Sequence, residues 1–148
     1  MARRPPPPAV LHGTPDEVEA QFYEGLQQGK LDQVMAAWAD DDEIACVHPG
    51  GARLIGTAAV RAGFEAILAQ GNLALWPERV RRLHTLGCAV HHVAERISAN
   101  TPDGPQSAWV WATNVYVKTP QGWRMVAHHA SPAGMAEPHD DGNEAVLH

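Results

Sequence analysis

The sequence has little of what disulfide, metal and cofactor chemistry uses. Cysteine occurs twice, at Cys46 and Cys88, each inside an apolar run and neither in a C-x-x-C pair. No disulfide framework or cysteine-rich zinc site is expected, and both read as buried free thiols. There is no Gly-x-Gly-x-x-Gly, no P-loop and no H-E-x-x-H, so neither a nucleotide cofactor nor a metal is expected. No apolar run approaches the roughly 18 to 20 residues of a membrane span, and Arg3-Arg4 leads into Pro5 to Pro8 instead of an apolar signal segment. A cytoplasmic protein with no membrane partner is the expectation. Basic residues are also scarce: 11 against 17 acidic ones give a net charge of -6, the wrong sign for a phosphate-seeking surface, so no nucleic-acid partner is expected.

What is present suits one folded domain: 148 residues, 45% of them hydrophobic and 19% charged. Residues 1–13 carry four consecutive prolines, which favour extended chain and donate no backbone hydrogen bond, and read as a flexible arm. Residues 135–148 are polar and read as a flexible tail. The domain is expected over residues 14–134.

Thr14-Pro15-Asp16-Glu17 combines a capping hydroxyl, proline at the first helical position and carboxylates at the positive end of the helix dipole. The helix it starts carries Val18, Phe22 and Leu26 on one stripe and stops at Gly29. A shorter helix is predicted over Asp32 to Ala39, strands over Ile44 to His48 and Arg53 to Ile55, and a third helix capped by Thr57 with Val60, Phe64, Ile67 and Leu68 inward. Four long antiparallel strands follow, over Glu78 to Leu86, Cys88 to Ser98, Ser107 to Lys118 and Trp123 to Ser131. Helices first and a meander afterwards describe an α+β domain with one curved sheet folded over its helices.

The third long strand sets Trp109, Trp111, Thr113, Val115 and Val117 on one face and Val110, Ala112, Asn114 and Tyr116 on the other. Both faces are largely apolar, and helices cover only one side of such a sheet. A homodimer through the outer face is the expectation, with covering by the tails as the alternative.

Nine histidines include the pairs His91-His92 and His128-His129. Neighbours on a strand point to opposite faces, so each pair offers one imidazole to any one site, and structural or surface roles are favoured over zinc.

Two stretches are more specific: Trp38-Ala39-Asp40-Asp41, running on through a strand to His48-Pro49-Gly50-Gly51, and Gly122-Trp123-Arg124 opening the last strand. In their order and spacing over Thr14 to Ser131 they resemble the SnoaL-like branch of the nuclear-transport-factor-2-like superfamily. The resemblance implies a cone-shaped α+β barrel, N-terminal helices packed in a curved antiparallel sheet, with a pocket between them and a homodimer through the sheet's outer face. Its members include ketosteroid isomerases, polyketide cyclases, dehydratases and noncatalytic association domains, and the fold alone does not choose among them.

Where the isomerases carry their catalytic aspartate before a proline, this chain has His48 before Pro49. Imidazole titrates near neutral pH and moves protons beside a carbonyl, so His48 is the candidate acid or base. The oxyanion-binding tyrosine of the first helix falls at Phe22, which offers no donor, and Tyr23 lies about 100° further round the helix. Parity along the strands, carried over with the resemblance, sets Asn114, Tyr116 and His128 inward, with Arg124 as a further inward candidate and His129 outward beside Trp123 and Met125. Asp40 is the candidate partner orienting His48, Trp38 lines a ligand or packs, and Arg53 is a candidate for holding an acidic group. The expectation is proton transfer on a small apolar carbonyl compound; the alternative is a noncatalytic dimeric small-molecule-binding domain.

Overall fold

The computed structural model describes residues 13–142; the arm apart from Gly13, and the tail beyond Gly142, lie outside the described residues. Helix α1 spans Pro15–Gln28, with the Thr14 hydroxyl accepting from the Glu17 N–H at 3.1 Å. It ends at Gly29, whose φ of 68° is the left-handed conformation that glycine adopts without steric cost. Thr14→Ala is expected to cost about 1 kcal/mol, read as a lower urea midpoint with an unchanged m-value.

Helix α2 spans Leu31–Ala36, shorter than the predicted Asp32 to Ala39 because the chain turns at Ala37 to run beside the last strand. There the Ala39 N–H donates to the Met125 carbonyl and the Met125 N–H to the Ala37 carbonyl. Strands β1 (Ala45–Val47) and β2 (Arg53–Ile55) form an antiparallel pair, and α3 spans Thr57–Leu68. The cap of α3 is Gly56 rather than Thr57: Gly56 sits at φ 89°, while the Thr57 hydroxyl donates to Asp40 Oδ1 at 2.9 Å. Strands β3 (Leu75–His84), β4 (Cys88–Thr101), β5 (Gly104–Thr119) and β6 (Gly122–Gly134) complete the chain.

The strands form one sheet in the order β2-β1-β6-β5-β4-β3. The long strands pair antiparallel, and β1 joins the edge of β6 in parallel, with Cys46 opposite His128. Val18, Phe22 and Leu26 of α1 and Val60 and Phe64 of α3 meet Ala89, Val93, Val110, Ala112 and Tyr116 of the inner sheet face in one buried core. This is the expected architecture of helices held within a curved sheet.

One irregularity matters for the site. Val115 pairs with Ala127 but Tyr116 pairs with Met125, so Val126 is an extra residue on β6. Such a bulge reverses the parity of everything before it. Trp123 and Met125 are therefore buried in the core, not on the outer face, while His128 is buried and His129 exposed as expected. Arg124 is displaced from the inner face by the same slip.

On the outer face Trp111, Thr113, Val115 and Val117 are half-buried. Part of the C-terminal segment lies over this face. The Arg79 guanidinium donates to the Pro138 carbonyl, and Arg81 stands 3.4 Å from the Asp140 carboxylate. A cavity of about 560 Å³ remains between Arg81, His92, Trp111, Thr113, Asp140 and Asp141. Among the described residues no helix is long and apolar enough to cross a membrane.

Candidate functional site

The interior of the cone is not wholly apolar. Helix α1 sends Glu19 and Tyr23, four residues apart and so on one side of the helix, against β4 and β5. Strand β4 contributes His91 and Glu95, β5 contributes Asn114 and Tyr116, and β6 contributes His128. All are buried, with exposures between 0% and 5%.

Buried polar groups are held by satisfying one another, and these do. Tyr116 Oη donates to Glu19 Oε2 at 2.6 Å, and His91 Nδ1 meets the same oxygen at 2.9 Å. Asn114 Nδ2 donates to Tyr23 Oη at 2.9 Å and to Glu19 Oε2 at 3.3 Å. Tyr23 Oη donates to Glu95 Oε2 at 2.7 Å. Asn114 Oδ1 faces His128 Nδ1 at 2.5 Å, and His128 Nε2 lies 4.0 Å from Glu95 Oε2.

Burial dominates the proton affinities here. It pushes the Glu95 carboxyl up to about 7, with the Tyr23 hydrogen bond opposing and nearby Glu19 assisting. It pushes the His128 imidazole down to about 3, with His48 and His129 adding to the shift. Tyr23 and Tyr116 are raised, first by burial and then by their acidic neighbours, and keep their protons.

His48 follows β1 at the border between this interior and the outside. Its ring is half-buried, 4.8 Å from the Phe64 ring at 90° and 6.3 Å from the His128 ring. Burial lowers its proton affinity, so it is neutral at neutral pH. Its Nε2 stands 3.6 Å from Cys46 Sγ, a thiol that burial, and then Glu95, pushes up to about 12. That sulfur therefore stays protonated.

The remaining residues singled out from sequence divide sharply. Phe22 is fully buried and packs on both the Phe64 and His128 rings, at 5.6 and 5.4 Å. Trp38 is 4% exposed, packs on Phe22 and Phe64, and has an indole Nε1 with no hydrogen-bond partner. Asp40 is exposed and is engaged by Thr57, so it anchors the start of α3 rather than orienting His48. Arg53 is exposed on edge strand β2.

Glu19, Tyr23, His91 and Glu95 were missed as site residues. Tyr23 does lie further round α1 than Phe22, yet the sheet curves far enough to enclose both. The signals that existed were the Glu19-Tyr23 spacing and the alternation His91-Val93-Glu95 along β4.

Asp16, Glu19 and His91 each bring a ligand atom within 4.8 Å of the others, the donor set nearest to a metal site among the described residues. The Arg82 guanidinium occupies Asp16 at 2.8 Å, and three protein donors converge on Glu19 Oε2, so these oxygens already have partners. A separate cavity of about 570 Å³ lies between Trp38, Asp40, Asp41, Thr119, Gln121 and Arg124.

A family model described as the SnoaL-like domain matches residues 16–135. The chain belongs to this family. Among solved structures, the SnoaL-like domain is similar to a chain from Thiobacillus denitrificans provisionally described as a calcium/calmodulin-dependent protein kinase type II association domain. The two are 38% identical over 83% of this chain and 98% of that one, with a TM-score of 0.76. A provisionally described dehydratase of the NTF2-like family from Streptomyces avermitilis is 27% identical over 81% and 99% of the two chains, with a TM-score of 0.70. A Caulobacter vibrioides protein with a cystatin-like fold shares the architecture at 16% identity, over 80% and 87% of the two chains, with a TM-score of 0.69. Among curated proteins there is no match.

Proposed function

We infer that this SnoaL-like domain moves a proton on a small apolar carbonyl compound without a cofactor, in an isomerisation, cyclisation or dehydration. His48 takes and returns the proton, with His128 and Asn114 positioned behind it. The observation that carries this reading is the placement of His48: half-buried and flanked by Phe64 and His128 at the edge of a polar interior, where burial lowers its proton affinity. A neutral imidazole is the form that acts as a base beside a carbonyl.

Phe22, Phe64 and Trp38 supply apolar walls. Tyr116 contributes through Glu19, not through open contact, and the similarity to a dehydratase agrees with proton chemistry.

The test is deuterium uptake at carbon. In D2O, 2-tetralone is expected to exchange its carbon-bound protons beside the carbonyl faster with the protein than in buffer. His48→Ala is expected to lose about 10²- to 10⁴-fold of that acceleration with an unchanged circular dichroism spectrum. Equal rates for wild type and variant would overturn the reading.

A second reading, a noncatalytic dimeric binding domain, draws support from the mutual satisfaction of Glu19, Asn114 and Tyr116 and from the similarity to an association domain. It predicts a thermal shift with 2-tetralone and no exchange. Both readings include a homodimer through the half-buried outer face around Val115 and Val117, clear of the C-terminal segment that faces Trp111, expected in light scattering as a particle of twice the mass of one chain.

A further inference from the structure

The geometry points to Glu19 as a positioning residue: acting through Asn114, it fixes the tautomer of His128 so that the ring presents a bare Nε2 to whatever enters the cone. The catalytic consequence rests on the proton-transfer reading above; the tautomer itself does not.

Asn114 has one end that only donates and one that only accepts. Its donating end faces two oxygens, Glu19 Oε2 at 3.3 Å and Tyr23 Oη at 2.9 Å. Tyr23 spends its own proton on Glu95 Oε2 at 2.7 Å and so accepts from Asn114. Turning the amide over would set its carbonyl oxygen against the Glu19 carboxylate, with no proton between them. Glu19 is itself held in place by Tyr116 at 2.6 Å and His91 at 2.9 Å, both converging on Oε2.

With the amide fixed, Asn114 Oδ1 faces His128 Nδ1 at 2.5 Å, and an oxygen that only accepts requires Nδ1 to carry the proton. His128 is neutral, so it has one ring proton, and Nε2 is left with its lone pair. The nearest carboxylate, Glu95 Oε2, stands 4.0 Å away, beyond hydrogen-bond distance. Nε2 is thus an acceptor in the interior, beside the Phe22 and Phe64 rings. A ligand there is recognised by a group with a proton to give, a hydroxyl or an acidic C–H, and not by a carbonyl oxygen.

The test uses full-length protein labelled with 15N in histidine, in long-range 1H–15N spectra at pH 7.5. Wild-type His128 is expected as the Nδ1–H tautomer. Glu19→Leu removes the one acceptor that cannot turn into a donor, since the Tyr23 hydroxyl can swing its proton toward Asn114, and is expected to move His128 toward Nε2–H, whereas Tyr23→Phe leaves Glu19 in place and is expected to retain Nδ1–H. Wild-type His128 as Nε2–H overturns the proposal whether or not the variant folds. So does a folded Glu19→Leu protein that keeps Nδ1–H unchanged, or a Tyr23→Phe protein that loses it. In the 2-tetralone exchange assay Glu19→Leu is expected to lower the rate about tenfold or more. If wild type shows no exchange while the tautomers behave as stated, the functional reading fails and the positioning role of Glu19 stands.

Discussion

Replacing Glu95 by glutamine is expected to raise stability relative to wild type by about 3 kcal/mol as the pH climbs from 4.5 to 7. The ordinary carboxyl value is 4.5 and the folded value is about 7. Between those limits the unfolded chain has released its proton while the folded chain still holds it, so wild-type stability falls as pH rises. Glutamine removes that loss and can still accept the Tyr23 hydroxyl. His128 works in the opposite sense: its ordinary value of 6.5 drops to about 3 on folding, so wild-type stability falls as pH falls through that window. From about pH 4.5 to 6.5 the two groups offset each other in the wild type. His128→Gln is therefore expected to show the reverse slope, losing stability relative to wild type as pH rises. Urea unfolding of the three proteins across pH 4 to 7.5 checks both slopes. Parallel curves would show that neither group is buried in the state described.

The second large effect is mechanical. Phe22 is fully buried and touches the rings of Tyr23, Trp38, Phe64 and His128. Phe22→Ala removes the side chain that all of these share and leaves a cavity, at a cost of about 3 to 5 kcal/mol. Thermal unfolding is expected to move down by roughly 10 °C or more. Phe22→Leu refills most of the volume and should recover much of the loss, because shape and apolar area count here and not a donor. A Phe22→Ala protein as stable as wild type would mean that this ring is not at the centre of the core.

How much of this was legible beforehand depends on the range over which each signal acts. Thr14-Pro15-Asp16-Glu17 and Gly29 mark the ends of α1 because capping is local chemistry, readable within a few residues. The ordered motifs from Trp38 through His48-Pro49 to Gly122-Trp123 carried the architecture. The bulge at Val126 was not legible, since it exists only in the pairing of β6 with β5, and it moved Met125 and Trp123 inward. The start of α3 was misread because a hydroxyl at Thr57 suggests a cap, whereas the chain enters the helix through Gly56, at a positive φ that glycine tolerates, and the Thr57 hydroxyl is spent on Asp40.

In the interior, the strand parity carried over with the resemblance set Asn114, Tyr116 and His128 inward, and all three are buried there. Glu19 and Glu95 were hidden by the ordinary rule that carboxylates face water. That rule fails only where tyrosine, amide and imidazole donors converge on them, and such convergence comes from three separate elements, α1, β4 and β5.

The most direct test of the central claim, that a small apolar carbonyl compound is handled between His48 and His128, is a titration of the 15N-histidine protein with 2-naphthol. This ligand is the aromatic counterpart of the 2-tetralone enol and carries a hydroxyl for an accepting nitrogen. The ring resonances of His48 and His128 are expected to shift together and saturate at one ligand per chain, while exposed His92 and His139 stay unmoved. Saturable binding that leaves both His48 and His128 unchanged would contradict the account.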